Sequence, residues 1–461
     1  SIRSLYPKLE IEGGAGVRPH KNSINNYCYP ESPEAGIDLF LEKLVQETEK
    51  EHEDILEQAD ETDAMFGELY SWYLRNPEYR SRVQKLVQSA FAGKPEDIIS
   101  QSVAKALYGE VSPYSATRLE RFAACAFAHF LQYGMKLTER VEYEFKPMDM
   151  GNVMHEALES FAEEVRKRGM KWTELTEQER NEIADRCLDN IVADYGNTVL
   201  KSSARNEYMI ERTRRILRRT VWALQKQLEQ GEFQPEGFEV TFGGGRIDRV
   251  DIMEDQNKVY VKVIDYKTGN TSFDLVYLYH GLQLQLMIYL DGALRVEQKK
   301  YPDKEIIPAG VFYYNIKDPM IQEKIDADVE AVSAGLMKEL KMNGLAQADP
   351  ELVYRMDSSL GSIPVAFNKD GSFRKNSSVA DRTQFAVLGR YVRTKIEKIR
   401  SSILEGDAEV SPYELGKKNA CTYCPYMTVC GFDRRLSGYE FRRLKNFSDE
   451  ELWKAFDREA E

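Results

Sequence analysis

"GRIDRVDIMEDQNKVYVKVIDYKTG", residues 245–269, decides the fold. Apolar and polar residues alternate on either side of the polar run at 254–257, the pattern of two strands joined by a turn. On a strand, successive side chains point to opposite faces. Val261, Val263, Asp265 and Lys267 therefore share one face, and Lys262, Ile264 and Tyr266 the other. An acid and a lysine two positions apart at a strand end are, taken alone, most simply a surface ion pair that contributes little. The sharper reading is a metal-dependent phosphodiester-cleaving site, which needs partners elsewhere in the chain.

The hairpin supplies the first partner. With an even turn centred on Asp255 and Gln256, Asp248 lies opposite Val263 and shares a face with Asp265, as a diagonal pair roughly 7 Å apart at the backbone. Two carboxylates so placed repel unless a cation lies between them, and Mg²⁺ or Mn²⁺ prefers oxygen ligands. An odd turn would present Asp251 in place of Asp248.

The chain is 461 residues long, with 42% hydrophobic and 11% aromatic content, enough for a large core and more than one domain. Its apolar segments are short and interrupted by charge. None resembles a membrane span or a secretory leader, so a cytoplasmic setting is expected. The sequence opens "SIRSLYPKLE" without an initiator Met, which suggests a piece of something longer. A net charge of -13 argues against broad attraction to polyanions. Two local basic clusters stand out. Arg212, Arg215 and Arg219 fall on adjacent helical turns, and Arg434 and Arg435 lie close to Arg442, Arg443 and Lys445. Either alone is a solvated face; as phosphate contacts they make sense only if the chemistry points to DNA.

Residues 34–91 read as helices ending at the breaker loop "AGKPED", and a second unit is expected to begin near residue 105. In "SPYSATRLERFAACAFAHFLQYG", Ser115 is a candidate N-cap and Gly134 a stop for one helical body. Helical patterns fill 150–230. Strands are expected at 238–242, 246–253 and 258–266, then a helix at about 279–298 and a strand at "AGVFYYNI". This order predicts an α/β core with helical decoration: a helical lead over 1–104 and a second domain over 105–461.

Further candidates are individually weak. His155 sits one position off an apolar stripe of Met154, Ala157, Leu158, Phe161 and Val165, where a satisfied boundary histidine is the commoner case. Gln285 and Tyr289 are four apart on one helical face, more often packing than function. Cys421, Cys424 and Cys430 in "CTYCPYMTVC" are three ligands where a tetrahedral site needs four, and on spacing alone zinc is the favourite. Cys28 and Cys187 read as ordinary thiols. No G-x-x-x-x-G-K-[ST] motif occurs, so P-loop ATP hydrolysis is excluded for this stretch.

Taken in order, G-x-x-x-H, G-R-I-D, D-Y-K-T-G and Q-x-x-x-Y resemble the RecB-like branch of the PD-(D/E)XK nuclease superfamily. Within it, residues 105–445 resemble the nuclease domain of AddB-type subunits of bacterial helicase-nucleases. Residues 1–104 are less distinctive and resemble the end of the helicase-like region of those subunits. The passage from "FEVTFGG" into the hairpin is shorter than in that family. The resemblance implies a restriction-endonuclease-like core, a mixed sheet flanked by helices. It implies Mg²⁺ or Mn²⁺ held by His155, Asp248, Asp265 and the Tyr266 carbonyl, with Lys267 acting on water and phosphate and Gln285 and Tyr289 orienting them. It also shifts the cysteine reading to a 4Fe-4S staple on Cys125, Cys421, Cys424 and Cys430. The implied partners are DNA and a motor subunit, AddA, in a heterodimer that feeds single strands to the site during double-strand-break processing. Two other classes stay open: a DNA-binding or scaffolding module with a degenerate site, and a stand-alone RecB-like exonuclease of the CRISPR-adaptation type.

Overall fold

Strands as apolar as residues 258–264 are buried on both faces only where helices cover both sides of a sheet. The computed structural model describes residues 32–49, 61–90, 98–109, 115–138, 147–194, 203–243, 245–321, 328–436 and 438–460. The chain divides into two compact units, Ser1–Asp97 with Met427–Phe441, and Ile98–Tyr426 with Arg442–Glu461.

In the first unit, helices Pro33–Glu49, Glu61–Arg75 and Pro77–Ala90 bury Ile37, Phe40, Leu44, Phe66, Tyr73 and Val83. The Tyr73 hydroxyl donates to the Pro33 carbonyl at 2.7 Å, tying the ends of two helices together. The expected breaker loop at 92–97 lies outside the described residues.

The second unit is built on a sheet. We label its elements α1 (Ala116–Ala124), α2 (Pro147–Lys167), α3 (Ala204–Glu229), β1 (Gln234–Phe242), β2 (Gly245–Asp255), β3 (Lys258–Lys267), α4 (Gln285–Lys300), β4 (Glu305–Asn315), β5 (Asn343–Gln347), β6 (Val379–Ala380) and α5 (Arg382–Glu405). The strand order is β1-β2-β3-β4-β5-β6. β1, β2 and β3 form an antiparallel meander, β4 lies parallel to β3 after the α4 crossover, β5 is antiparallel to β4, and β6 parallel to β5.

Alternation along β3 divides its side chains between two cores. Val259, Val261 and Val263 face α1, α4 and α5, while Ile264 and Tyr266 face α2 and α3. The three valines are wholly buried, and each such burial stabilises by about 1.5–3 kcal/mol relative to exposure. The fold is thus the expected mixed sheet flanked by helices. The helix expected over 279–298 is a short turn at Leu275–Tyr279 followed by α4.

Two sequence expectations need correction. The body from Ser115 to Gly134 is not one helix. Ser115 caps α1 as expected, its hydroxyl accepting from the Arg118 amide at 3.3 Å, but Cys125 is extended at φ -166° and ψ 118°. A new helical turn follows, and then a π-turn over Phe130–Gly134. The hairpin turn is also not centred on Asp255 and Gln256. It consists of Gln256 and Asn257 between the paired Asp255 and Lys258, with Gln256 at φ +45°. The pairing is therefore displaced by two residues. Arg249 faces Ile264, and the same register carried one step further sets Asp248 opposite Asp265 rather than opposite Val263.

Candidate active site

One end of the sheet gathers the candidates. β3 ends at Asp265 and Lys267, β2 begins beside them with Asp248, α2 supplies His155, and α4 starts there with Gln285. Gly151, one helical turn before His155, lies close to Thr268, and a Cβ there would sit 3.4 Å from the threonine hydroxyl. That is an ordinary van der Waals distance, with α2 running alongside the strand end. His155 Nδ1 then stands 3.4 Å from Asp248 Oδ2 and 3.8 Å from Glu239 Oε1. Burial opposes charge on the imidazole, but the two carboxylates outweigh it and raise its pKa to about 10.

Asp248 accepts a hydrogen bond from the Tyr266 amide at 2.7 Å. A β2 carboxylate thereby holds the β3 backbone. Asp265 is not the solvent-facing carboxylate expected at a strand end. It is 1% exposed, because α1 and α4 close over that end of the sheet. Its burial and the neighbouring Asp248 charge push its pKa up to about 7, although Lys267 pulls the other way. Lys267 Nζ lies 2.7 Å from Asp265 Oδ2 as an ion pair outside hydrogen-bond geometry. It donates instead to Gln285 Oε1 at 2.7 Å, and Gln285 Nε2 donates to the Tyr289 hydroxyl at 2.9 Å. This is not the solvated surface pair of the simplest reading, since the acid is buried and the lysine is committed to a relay.

Glu239 went unremarked in the sequence. The β1–β2 register pairs Phe238 with Arg249 and Val240 with Ile247, which sets Glu239 opposite Asp248. Glu239, Asp248 and Asp265 thus form a row across three strands. Glu239 adopts φ +49° and pairs with Arg246. Phe238 and Val240 consequently pack into opposite cores, so simple alternation misplaces this residue. Among the described residues, His155, Glu239 and Asp248 form the set whose ligand atoms lie within 4.8 Å of one another, a mixed nitrogen and oxygen set suited to a divalent ion. Asp251, the alternative offered by an odd turn, lies on the other face. It is fully buried, with Arg249 at 2.5 and 2.9 Å and Lys262 Nζ at 3.0 Å.

The cysteines fall in different places. Cys125 is buried in an apolar cluster with Ala128, Leu131 and Tyr426, against which Cys424 packs, and burial raises its thiol pKa. The Asn419 side chain accepts from the Cys421 and Thr422 amides at 3.0 Å each, shaping the Cys421–Cys424 turn. Cys430, Arg434 and Arg435 belong to the first unit. There the Arg434 guanidinium lies over Phe441, and Arg435 pairs with Asp433. On α3, Arg215 pairs with Asp318 at 2.6 Å, Arg219 lies over Trp222, and Arg212 is exposed. Cys187 is buried, its thiol raised to about 11 by that burial, and Cys28 lies outside the described residues.

A mixed sheet carrying acid, acid and lysine at one end, with a helix closing over it, is the arrangement of a nuclease core. Residues 113–431 match the PD-(D/E)XK nuclease superfamily, and the chain belongs to that superfamily. More narrowly, it is 41% identical, over 87% of its length, to the B-type subunit of the ATP-dependent helicase/deoxyribonuclease of Lachnoclostridium phytofermentans, and covers 36% of that protein. It is 33% identical over 99% of its length to the protein of the same name from Thermoanaerobacter sp. strain X514, and covers 42% of it. The relative from Clostridium novyi gives 33% identity over 100% of this chain and 42% of the relative. The chain therefore spans well under half the length of these relatives. Among the described residues, no helix is long and apolar enough to cross a membrane.

Proposed function

We propose that this chain carries the DNA-hydrolysing site of a bacterial helicase-nuclease, cutting single strands in the cytoplasm as double-strand ends are processed. In this reading residues 1–104 close a helicase-like region, residues 105–461 form the nuclease domain, and the motor partner is AddA. The names of the relatives support the helicase and deoxyribonuclease parts. The observation that carries the reading is the position of Lys267 Nζ, 2.7 Å from both Asp265 Oδ2 and Gln285 Oε1, beside Asp248 and His155.

His155, Asp248, Asp265 and the Tyr266 carbonyl would hold Mg²⁺ or Mn²⁺, with Glu239 close enough to join them. Bound there, such an ion polarises the scissile phosphate and lowers the pKa of a water molecule. Asp248 and Asp265 supply the negative charge for which a cation would compensate, and burial together with the Asp248 charge raises Asp265. Lys267 positions the attacking water and offsets charge growing on the phosphorus-centred transition state. Gln285 and Tyr289 fix the ammonium so that it faces the phosphate and not the solvent. The Arg212, Arg215 and Arg219 stripe and the Arg434 and Arg435 pair are assigned to the DNA backbone.

The same reading assigns Cys125, Cys421, Cys424 and Cys430 to a 4Fe-4S cluster, supported by the shared apolar cluster that seats Cys125 and Cys424. Thiolate ligands from both ends of the nuclease domain would close a loop of several hundred residues.

The test is release of nucleotides from end-labelled single-stranded DNA, with Mg²⁺ titrated against the purified chain and against Asp265→Ala. Metal-dependent release that disappears in the variant is expected. Equal release by both proteins would overturn the assignment.

A further inference from the structure

α4 carries Gln285 and Tyr289, yet its N-terminus is not capped from its own sequence. Leu284, at the N-cap position, is in the αR conformation and offers no side-chain oxygen. The first amides of a helix need acceptors, and a carboxylate there also complements the helix dipole. Both requirements are met from a distant part of the chain. Glu120, on α1, accepts from the Leu284 amide at 2.7 Å and the Gln285 amide at 2.9 Å through the same Oε1. The residue that gives its backbone amide to Glu120 gives its side-chain oxygen to Lys267.

We propose that Glu120 is a positioning residue for the reaction, holding Gln285 in place and, through it, the ammonium of Lys267. Glu120 touches none of the reacting atoms. Its route to the site is the Gln285 backbone amide at 2.9 Å, the covalent length of the Gln285 side chain, and the Lys267 ammonium 2.7 Å from that side chain's oxygen. Lys267 has other neighbours, the Asp265 carboxylate and the Tyr313 ring at 5.4 Å, and neither fixes it from the α4 side. Without the cap, the first turn of α4 can fray and the lysine can swing away from Gln285 towards solvent. The Glu120 carboxyl is itself pushed up to about 7, chiefly by burial and partly by Asp265, while the two amides and Lys267 pull it down. It is thus set within the electrostatics of the site, beyond its role as a cap.

The inference rests on the nuclease reading, and its test separates the two. Glu120→Ala should lower kcat on labelled single-stranded DNA about 10–100-fold, by analogy with the loss on removing a group that orients a metal ligand from outside, with KM changed less than about 2-fold. Glu120→Gln keeps an acceptor oxygen and should stay within about 3-fold of wild type. The Glu120→Ala/Gln285→Ala double variant should be no slower than the slower single one, since both act along one path. A purely structural role predicts losses that multiply in the double variant; that result, or a Glu120→Gln as slow as Glu120→Ala, would overturn the proposal. A second readout needs no activity: reductive methylation of Lys267, followed by mass spectrometry, should be faster in Glu120→Ala than in wild type and unchanged in Glu120→Gln. Equal rates in all three sink the proposal whatever the nuclease assay gives, whereas a wild-type chain that cuts no DNA refutes the nuclease reading and leaves the labelling result to decide on Glu120. Should Glu120→Ala fail to fold, Glu120→Asp, one methylene short of the two amides, takes its place with the same expectations.

Discussion

Replacing Asp251 by Asn tests which face of the hairpin does chemistry. Asp251 is wholly buried between Arg249 and Lys262, with oxygen–nitrogen distances of 2.5, 2.9 and 3.0 Å. Burial works against its charge, but the two cations outweigh it and hold its carboxyl below the usual range. At an effective dielectric of about 20, opposite charges about 3 Å apart attract by roughly 5 kcal/mol, most of it offset by desolvation. Asparagine has the same shape and no charge, so the variant leaves two cations buried together without a counter-ion. Loss of one partner from such a group costs about 3–5 kcal/mol, a large share of the roughly 5–15 kcal/mol typical of a domain. Urea denaturation followed by far-ultraviolet circular dichroism should show that loss as a lower midpoint. The pH sign follows from the lowered pKa: the contribution is fully present above the ordinary carboxylate value and is lost as pH falls through the folded one. Asp248→Asn is the contrast. It retains an oxygen for the Tyr266 amide and relieves repulsion with Asp265, so its stability should lie within about 1 kcal/mol of wild type while its activity disappears. A stable but inactive Asp251→Asn beside an active Asp248→Asn would show that the faces have been exchanged.

Three further outcomes are expected. Asp265→Ala and Lys267→Ala should both abolish cleavage, yet Lys267→Ala should still take up Mn²⁺ by paramagnetic titration, since an ammonium cannot ligate a metal; wild-type cutting by either variant refutes its role. Anaerobically purified chain should be brown and contain about four irons per polypeptide with matching sulfide, and stoichiometric zinc without iron would contradict the cluster. Glu120 is raised in the folded state, so its contribution to stability is fully present below its ordinary carboxylate value and is lost as pH rises through about 7. The melting temperature of wild type relative to Glu120→Gln should therefore fall between pH 5 and pH 8, and a constant difference would refute the raised pKa.

The period-two pattern of residues 258–267 was enough to place Asp265 and Lys267 on one face, but by itself it describes a half-buried strand; the sheet covered on both sides was expected from the order of elements and the family resemblance. Between the two parities the sequence left open, the structure has the even turn that presents Asp248 and not Asp251. The offset of two residues was not legible, because a polar run such as Glu-Asp-Gln-Asn places a turn without saying which two residues form it. Gln256 does so by accepting a positive φ, a choice made by the paired strands on either side. Burial of Asp265 was hidden for a similar reason: the helices that cover it, α1 and α4, come from sequence far on either side of the hairpin. Glu239 and Glu120 were invisible to local pattern. The first sits where the strand reverses its facing, and the second acts on amides more than 160 positions away. The break at Cys125 was masked by good helix formers on both sides.

Turns between strands are ordinarily where a protein tolerates length variation best, being exposed and remote from packed elements. The Gln256–Asn257 turn is an exception. Adding or removing one residue there would slide β2 against β3 by a single position and bring Ile247 or Arg249 opposite Asp265, with the Asp248 to Tyr266 hydrogen bond lost and the Asp251 group turned towards the wrong core. The hairpin thus transmits an insertion rigidly over about eight residues, from solvent to the reacting end of the sheet. Natural variation in this enzyme class should accordingly lengthen other loops freely and leave this one fixed in length, even where its side chains drift.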